Sequence, residues 1–124
     1  MNISIVVPLF NEEESLPELC VWIDKVMQAN NYTYEVLLID DGSKDNSWEV
    51  VEKISSENTN IRGVKFRRNY GKSAALNVGF SKAQGDVVVG FFLDGQNAQV
   101  PMIMGAFANT TQWADLKKAR SEEH

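Results

Sequence analysis

The sequence predicts an α/β fold in which a parallel sheet of about four strands carries helices on both faces. Short, continuous apolar runs of strand length alternate with segments whose apolar residues recur at helical spacing. This alternation of strand and helix continues to about residue 93, and it is the pattern of a parallel sheet covered by helices. The predicted strands span residues 3–8, 34–39, 61–66 and 87–93.

Three helices are expected between these strands. The first follows Ser15, which begins a Ser-x-x-Glu capping box, and it ends at Asn30-Asn31. Ser43 is expected to cap the second helix, and the third spans residues 72–84 with Gly85 as its stop. The predicted inward faces are Leu16, Leu19, Cys20, Ile23 and Met27, then Trp48, Val51 and Ile54, then Leu76, Gly79, Phe80 and Ala83.

The last quarter of the chain departs from this alternation. Asp94-Gly95 separates two apolar runs, which is a typical signal of a β-hairpin turn. A returning strand is therefore expected over residues 100–104, followed by a short polar helix from Trp113 and a frayed end. We expect an α/β half-domain over residues 1–93 and a divergent hairpin and tail over 94–124, which is not an independent domain.

Composition excludes several classes of protein. The chain of 124 residues is 44% apolar and has a net charge of -5, whereas a nucleic-acid-binding domain would carry a basic patch. Cys20 is the only cysteine, which excludes an intrachain disulfide framework and a cysteine zinc site. No run reaches the length of a membrane span and no signal peptide is predicted, so a cytoplasmic location is expected.

Polar residues follow each predicted strand at its carboxyl end, where open α/β sheets bind ligands. These clusters are Pro8-Leu9-Phe10-Asn11, Asp40-Asp41-Gly42-Ser43, residues 67–72 and Asp94. A carboxylate in this position can accept hydrogen bonds from a base or a ribose, and lysine or arginine can neutralise a diphosphate. A glycine at a helix start, such as Gly71, lets backbone N–H groups approach the same anion.

Each cluster also has a structural interpretation. Asp41-Gly42-Ser43, taken alone, is more simply a turn and a helix cap, because Asx turns are common. Arg67, Arg68 and Lys72 could form a solvated charged surface. Three such clusters at successive strand ends favour a common ligand site over three unrelated turns.

Three segments, in order, resemble motifs of the family 2 glycosyltransferases, which have the GT-A fold. Residues 5–13 resemble the opening of that family, and Asp40-Asp41-Gly42-Ser43 resembles its second motif. Residues 66–75 are similar to the branch that uses polyprenyl-phosphate acceptors. The resemblance extends from residue 1 to about residue 89 and implies a partial GT-A half-domain.

The resemblance implies transfer of a sugar from a nucleoside diphosphate sugar. In this family the donor is usually a UDP-sugar. The implied acceptor is a polyprenyl phosphate, which would make the protein peripheral to the inner face of the membrane. Asp41 would hold the base, Pro8, Phe10 and Glu13 would line the nucleoside pocket, and Lys72 would lie near the diphosphate. The expected nucleotide-binding residues are Pro8, Phe10, Asn11, Glu13, Asp40, Asp41 and Lys72.

The sequence departs from this family after the fourth strand. The family ends that strand with Asp-x-Asp, whose carboxylates hold Mg²⁺ or Mn²⁺, whereas this chain has Asp94-Gly95-Gln96. Divalent ions of this kind prefer charged oxygen ligands. Asp94 is therefore either the ligand of a weakened metal site or a hairpin residue. The resemblance does not extend to the half of the family that carries the general base, so no catalytic residue is predicted.

Residues 85–113 resemble instead a hairpin of the OB-fold domain in phage baseplate hub and spike proteins. That second resemblance implies a truncated or recombined chain. Two functions stay open: sugar transfer, and a nucleotide-binding remnant or structural protein without transferase activity. We also expect residues 100–104 to cover the far edge of the sheet, or else self-association through that edge.

Overall fold

The structure is a computed structural model that describes residues 2–92 and 102–107, with side chains described to Phe91. Its elements are β1 (Ile3–Leu9), α1 (Leu16–Ala29), β2 (Tyr34–Asp40), α2 (Ser47–Glu57), β3 (Ile61–Lys65), α3 (Lys72–Lys82), β4 (Val87–Phe92) and β5 (Met102–Phe107). One five-stranded sheet has the order β3-β2-β1-β4-β5. The first four strands pair in parallel, as predicted, and β5 runs antiparallel to β4.

Two hydrophobic cores lie on opposite faces of this sheet, which confirms the prediction of helices on both faces. Successive residues of a strand point to opposite faces, so a strand between two helix layers is apolar throughout. In β1, Ile5 and Val7 pack with α1 and α2, whereas Val6 packs with α3. The buried helix residues are Leu16, Leu19, Cys20 and Ile23 in α1, Val51 in α2, and Ala75, Leu76 and Phe80 in α3.

The strand order reverses between β1 and β4. After β3 the chain passes through α3, which contacts β1 and β2, and returns as β4 on the other side of β1. Ligands of open α/β sheets bind beyond the carboxyl ends of the strands at such a switch point.

Ser15 is the residue before α1, as predicted, but neither Ser15 nor Ser43 caps a helix with its side chain. Ser15 precedes α1 in a helical conformation (φ -86°, ψ -25°) and makes no side-chain cap, whereas a capping residue normally has extended geometry. Its hydroxyl donates to the Glu12 carboxylate at 3.2 Å. α2 begins at Ser47 rather than beside Ser43, whose hydroxyl instead accepts the Asn11 N–H at 2.8 Å. Ser15 thus bonds within its own loop, whereas Ser43 bonds to the loop after β1.

The end of α3 also differs from the prediction. The helix ends at Lys82, and Ala83 is already extended (φ -70°, ψ 136°), so Gly85 is not its stop. Gly85 is needed because the chain passes directly over β1. A Cβ at this position would lie 2.7 Å from the Ser4 nitrogen.

The predicted returning strand is present, although it spans Met102–Phe107 rather than residues 100–104. It pairs with the outer edge of β4, with Val89 opposite Ala106. Coverage of that edge was one of the two expected outcomes. Asp94-Gly95 and the helix expected from Trp113 lie outside the described residues. The resemblance of residues 85–113 to an OB-fold hairpin stays a prediction.

A buried carboxylate ties the strands to the segment after α3. Glu35 of β2 is 3% exposed and accepts hydrogen bonds from the Ser4 hydroxyl, the Gln84 N–H at 2.7 Å and the Arg62 guanidinium at 2.7 Å. Burial acts to raise the pKa of Glu35, but these hydrogen bonds and the positive charge of Arg62 outweigh it, so the pKa is lowered. The network favours the ionised form.

We predict that Glu35→Gln lowers the free energy of unfolding at pH 7 by about 1–3 kcal/mol, because the amide cannot accept every one of these bonds. A lowered folded-state pKa contributes stability that is present above the ordinary value of 4.5 and is lost as the pH falls through the folded value. Urea unfolding of both proteins should therefore show a difference that shrinks on acidification below pH 4.5. Exposed Glu52→Gln is the control; equal stability of Glu35→Gln and wild type at pH 7 would contradict the prediction.

Candidate functional site

The carboxyl ends of β1, β2 and β3 form one edge of the sheet. Parallel pairing places Leu9 beside Asp40, and Asp40 beside Lys65. The polar clusters that follow these strands therefore leave the sheet side by side. The loops contact one another through four side chains, Asn11, Ser43, Ser47 and Asp41.

Asn11 joins the loop after β1 to the loop after β2. Its side-chain oxygen accepts the N–H groups of Lys44 at 2.8 Å and Asp45 at 3.3 Å, and its own N–H donates to the Ser43 hydroxyl. Asn11 has a positive φ of 54°, a conformation that asparagine tolerates better than most residues. The Asn11 side chain thus accepts the N–H groups of the turn before α2 in place of backbone carbonyls.

Ser47, which sequence reasoning missed, makes a second link between the same two loops. Its hydroxyl is fully buried, accepts the Glu12 N–H at 2.9 Å and donates to the Asp45 carboxylate at 2.6 Å. The Ser47 N–H donates to that carboxylate as well, at 2.9 Å. The Asp-x-Ser spacing before a helical run was the available sequence signal, because it is typical of an Asx turn.

The adjacent carboxylates Asp40 and Asp41 hold different loops. Asp40 is 0% exposed, and its Oδ1 accepts the Ser43 N–H at 2.8 Å within its own loop. Its Oδ2 is buried without a hydrogen-bond partner among the described residues. Asp41 is 4% exposed and accepts the N–H groups of Tyr70 at 2.7 Å and Gly71 at 3.0 Å, both in the loop before α3.

Close backbone packing supports the contact between the loops after β2 and β3. Gly42 has a φ of 76°, and a Cβ there would lie 2.3 Å from the Arg68 carbonyl carbon and 2.5 Å from the Asn69 nitrogen. Gly71, the residue before α3, has a φ of 102° and no side chain to cap the helix. Only glycine meets both requirements at Gly42, a positive φ and a direct backbone approach.

A basic and aromatic surface lies on the loop between β3 and α3. The Tyr70 ring is 54% exposed, packs edge-on against Phe66 at 5.7 Å and lies 5.0 Å from the Arg68 guanidinium. Arg67 and Lys72 are also exposed on this segment. Positive charge is therefore concentrated beside the first turn of α3, whose N–H groups favour an anion.

The structure brings most of the predicted nucleotide-binding residues to this edge. Asn11, Asp40 and Asp41 lie within the linked loops, and Lys72 begins α3. Phe10 is 40% exposed beside them. Glu13 lines a cavity of about 210 Å³ whose walls are largely acidic, among them Glu12, Glu14 and Asp45. Pro8 is buried within β1, opposite Ile39.

The metal prediction falls on Asp94, outside the described residues. Within residues 2–92 and 102–107 no three acidic, histidine or cysteine side chains are grouped so that they could hold a metal. Cys20 is buried in α1, and this burial raises the pKa of its thiol to about 11, which fits the prediction of a small core residue. The helices in the described ranges include none that is long and apolar enough to cross a membrane.

Comparison with protein families and curated sequences gives two matches. Residues 4–98 match the family described as Glycosyl transferase family 2. Over 96 residues the chain is 44% identical to an undecaprenyl-phosphate 4-deoxy-4-formamido-L-arabinose transferase of Pseudomonas fluorescens (strain SBW25). That match covers 77% of this chain but 28% of the relative, so most of the relative has no counterpart in these residues.

The fold is similar to solved structures of S. aureus TarS. The structure of TarS 1-349 matches with a TM-score of 0.64 and 27% identity, over 74% of this chain and 27% of that chain. TarS 1-349 in complex with UDP-GlcNAc matches with a TM-score of 0.61 and 28% identity, over 74% and 26% respectively. These matches confirm the predicted partial GT-A fold.

We predict that Gly42→Ala destabilises the protein more than Gly71→Ala. Both sites have a positive φ, which costs a substituted side chain about 1–3 kcal/mol. Only at Gly42 would the new Cβ also meet backbone atoms, whereas nothing lies within 4 Å of a Cβ at Gly71. Overpacking adds about 1–3 kcal/mol to the loss at Gly42.

Urea unfolding of the two alanine variants measures this difference. Amide chemical shifts should also change at Arg68 and Asn69 in Gly42→Ala, since their backbone must move. Equal destabilisation by both substitutions would show that the two loops do not press against each other at Gly42.

Proposed function

The chain belongs to glycosyl transferase family 2, and from this premise we propose that it binds a nucleoside diphosphate sugar, the donor for sugar transfer to a lipid phosphate. The observation that carries the proposal is the joining of three family-like motifs into one hydrogen-bonded edge. Asn11 links the first motif to the second, and Asp41 links the second to the third. Such an arrangement holds groups from distant parts of the chain in one geometry without ligand.

The nucleoside end of this site is proposed to lie beside the ends of β1 and β2. Phe10 and Glu13 are accessible there and offer an aromatic surface and a carboxylate to the nucleoside. The buried residues Pro8 and Asp40 contribute by fixing the backbone beneath it. A uridine base is proposed because one of the similar TarS structures contains UDP-GlcNAc.

The diphosphate is proposed to lie against the start of α3. Lys72, Arg67 and Arg68 form a basic cluster in a chain whose net charge is -5. Backbone N–H groups at a helix N-terminus and a nearby lysine or arginine are the usual partners of phosphate groups in proteins. The same groups would stabilise the nucleoside diphosphate as it leaves during transfer.

The acceptor is proposed to be a polyprenyl phosphate, as in the name of the 44% identical relative. An oxygen of the acceptor phosphate would attack the anomeric carbon of the sugar, and the bond from that carbon to the diphosphate would break. An ionised phosphate is already a nucleophile, so this step needs no general base to remove a proton. Binding such a lipid places the protein at the inner face of the membrane.

A divalent metal is the remaining proposed component. Mg²⁺ or Mn²⁺ can be held by one or two carboxylates together with substrate phosphates. Asp94 is the carboxylate that the sequence offers, with the neutral amide of Gln96 in place of a second one. The ion would add positive charge at the diphosphate. Because of Gln96 we propose that metal binding is weak.

The neutral amide of Gln96 favours a second candidate function, in which the chain binds a nucleotide without transferring a sugar. Donor binding needs the strand ends described above. Transfer also needs an oriented acceptor, and orientation alone contributes roughly 7–11 kcal/mol to such reactions. The two functions therefore differ in turnover and not in binding.

We predict that the protein binds UDP more tightly than ADP, because the first two motifs resemble the family's nucleoside pocket and a similar TarS structure contains UDP-GlcNAc. Isothermal titration of both nucleotides checks this. Lys72→Ala should weaken UDP binding about fivefold, since a solvent-screened charge pair contributes on the order of 1 kcal/mol. It should leave uridine binding unchanged. Lys25→Ala, which removes an exposed lysine from α1, is the matched control; equal affinity for UDP and ADP, or none for either, would contradict the proposal.

We further predict that the 124-residue chain alone does not transfer sugar to a polyprenyl phosphate at a measurable rate. The assay combines Mn²⁺, a radiolabelled UDP-sugar, the lipid phosphate and the purified chain, with Lys72→Ala as the control. Lipid-linked label above that control would refute the prediction. In that event Gln96→Asp should raise the rate, since a second carboxylate strengthens metal binding.

A further inference from the structure

Ser47, the first residue of α2, is fully buried and joins the loop after β1 to the loop after β2. We infer that it is a positioning residue for the nucleoside end of the donor site: its hydroxyl fixes the backbone of Glu12, and thereby the nearby residues Phe10 and Glu13. The inference rests on the proposed function, because it concerns how that nucleotide site is built. Ser47 has no exposed surface to offer a ligand, so it acts through the segment that it holds.

The Ser47 hydroxyl both accepts and donates a hydrogen bond. It accepts the Glu12 N–H at 2.9 Å and donates to the Asp45 carboxylate at 2.6 Å. The same carboxylate oxygen accepts the Ser47 N–H at 2.9 Å. Hydrogen bonds to a carboxylate are stronger than those between neutral groups, so the proton of the hydroxyl is directed at Asp45 and an oxygen lone pair is left for Glu12.

The backbone of Glu12 is held on both sides. Its carbonyl accepts the N–H groups of Ser15 at 3.1 Å and Leu16 at 3.2 Å, and its own N–H binds Ser47. The bonds to Ser15 and Leu16 are local and shape only the turn before α1. The bond to Ser47 joins residues 35 positions apart, so it places that turn relative to α2.

The hydrophobic core sets the position of Ser47 itself. Val51 follows four residues later on the same face of α2, is 1% exposed, and belongs to the same core as Val36 and Leu38 of β2. The first turn of α2 is therefore packed against the sheet. Through the Ser47 hydroxyl, the loop after β1 is tied to a rigid element.

Phe10 and Glu13 lie on either side of the residue that Ser47 holds. Phe10 is 40% exposed, and Glu13 lines the acidic cavity of about 210 Å³. Without the hydroxyl, the Glu12 N–H would lose its buried partner, and the turn would populate other conformations. The apparent affinity for a ligand falls with the fraction of molecules in the binding conformation. Nucleoside binding should therefore weaken, whereas separate bonds hold the loop before α3 and the diphosphate end.

Ser4 offers a matched control, because it has the same chemistry at the opposite end of the sheet. It is also fully buried, and its hydroxyl donates to the Glu35 carboxylate and accepts the Gly85 N–H at 2.7 Å. Ser47→Ala and Ser4→Ala therefore each remove one buried hydroxyl that bridges a carboxylate and a backbone N–H. Neither substitution changes the net charge, so electrostatic attraction of the ligand is the same in both variants.

The experiment compares both variants with wild type in nuclear magnetic resonance titrations with UDP, uridine and inorganic pyrophosphate. The temperature is chosen so that the amide spectra show each protein folded. We expect both substitutions to lower the midpoint of urea unfolding, but only Ser47→Ala to weaken UDP and uridine binding, by the same factor of about five. Pyrophosphate binding should not change. The Glu12 amide should exchange faster with solvent in Ser47→Ala alone.

A second pair of variants tests the same link with Ser47 intact. Asp45→Ala removes the acceptor that orients the Ser47 hydroxyl, whereas Asp45→Asn keeps an oxygen in its place. Both remove the same negative charge at a position that is only partly buried. We expect Asp45→Ala to weaken UDP binding several-fold relative to Asp45→Asn. This comparison decides the question if Ser47→Ala does not fold.

The results separate the inference from the proposed function. If Ser47→Ala and Ser4→Ala weaken UDP binding equally, the effect is one of general stability and the positioning role is wrong. It is also wrong if Ser47→Ala binds UDP as wild type does, or if it weakens pyrophosphate by the same factor. In the second pair, equal UDP affinity of the two Asp45 variants overturns it. In these cases wild type still binds UDP and the proposed function stands; if wild type binds neither UDP nor uridine, both fail.

Discussion

Hydrogen bonds from side chains to the backbone of neighbouring loops hold the carboxyl edge of this sheet together. The three loops at this edge have few apolar residues to bury, so their N–H groups must find polar partners. Asn11 provides them for the loop after β2, and Asp41 provides them for the loop before α3. These bonds join the turn before α2 and the loop before α3 to the neighbouring loops.

The sheet beneath that edge supplies a rigid support. β1 and β2 are buried along nearly their whole length, because helices cover both faces of the sheet. At the opposite end, Glu35 binds groups from β1, β3 and the segment after α3. The Glu35 network and the proposed site therefore lie at opposite ends of the same strands, and the carboxyl end is where open α/β proteins bind ligands.

The proposed donor site lies within a short length of the chain. The match to family 2 covers residues 4–98, and the linked loops lie wholly within it. Each proposed partner of the nucleotide up to Lys72 lies within residues 2–92. The proposed metal ligand Asp94 comes from beyond those residues, so that part of the site rests on sequence alone.

The sequence by itself determined the α/β class, the order of strands and helices, and the polar clusters at the strand ends. These features depend on local patterns, such as the apolar runs of β1 and β2. Each such pattern lies within a single strand or helix. Tertiary structure decided how the clusters are used. Ser43 is predicted to cap a helix, yet its hydroxyl accepts the N–H of Asn11 in another loop.

Asp40 and Asp41 form one sequence motif, yet each fixes a different loop. Asn11 and Ser43 are 32 positions apart, and Asp41 and Tyr70 are 29 apart. Such hydrogen-bond partners depend on which strands lie side by side. The order of the strands depends in turn on the packing of whole helices onto the sheet. No local pattern contains that information. The sequence around a short polar side chain does not differ between one that bonds within its own turn and one that bonds to a neighbouring loop.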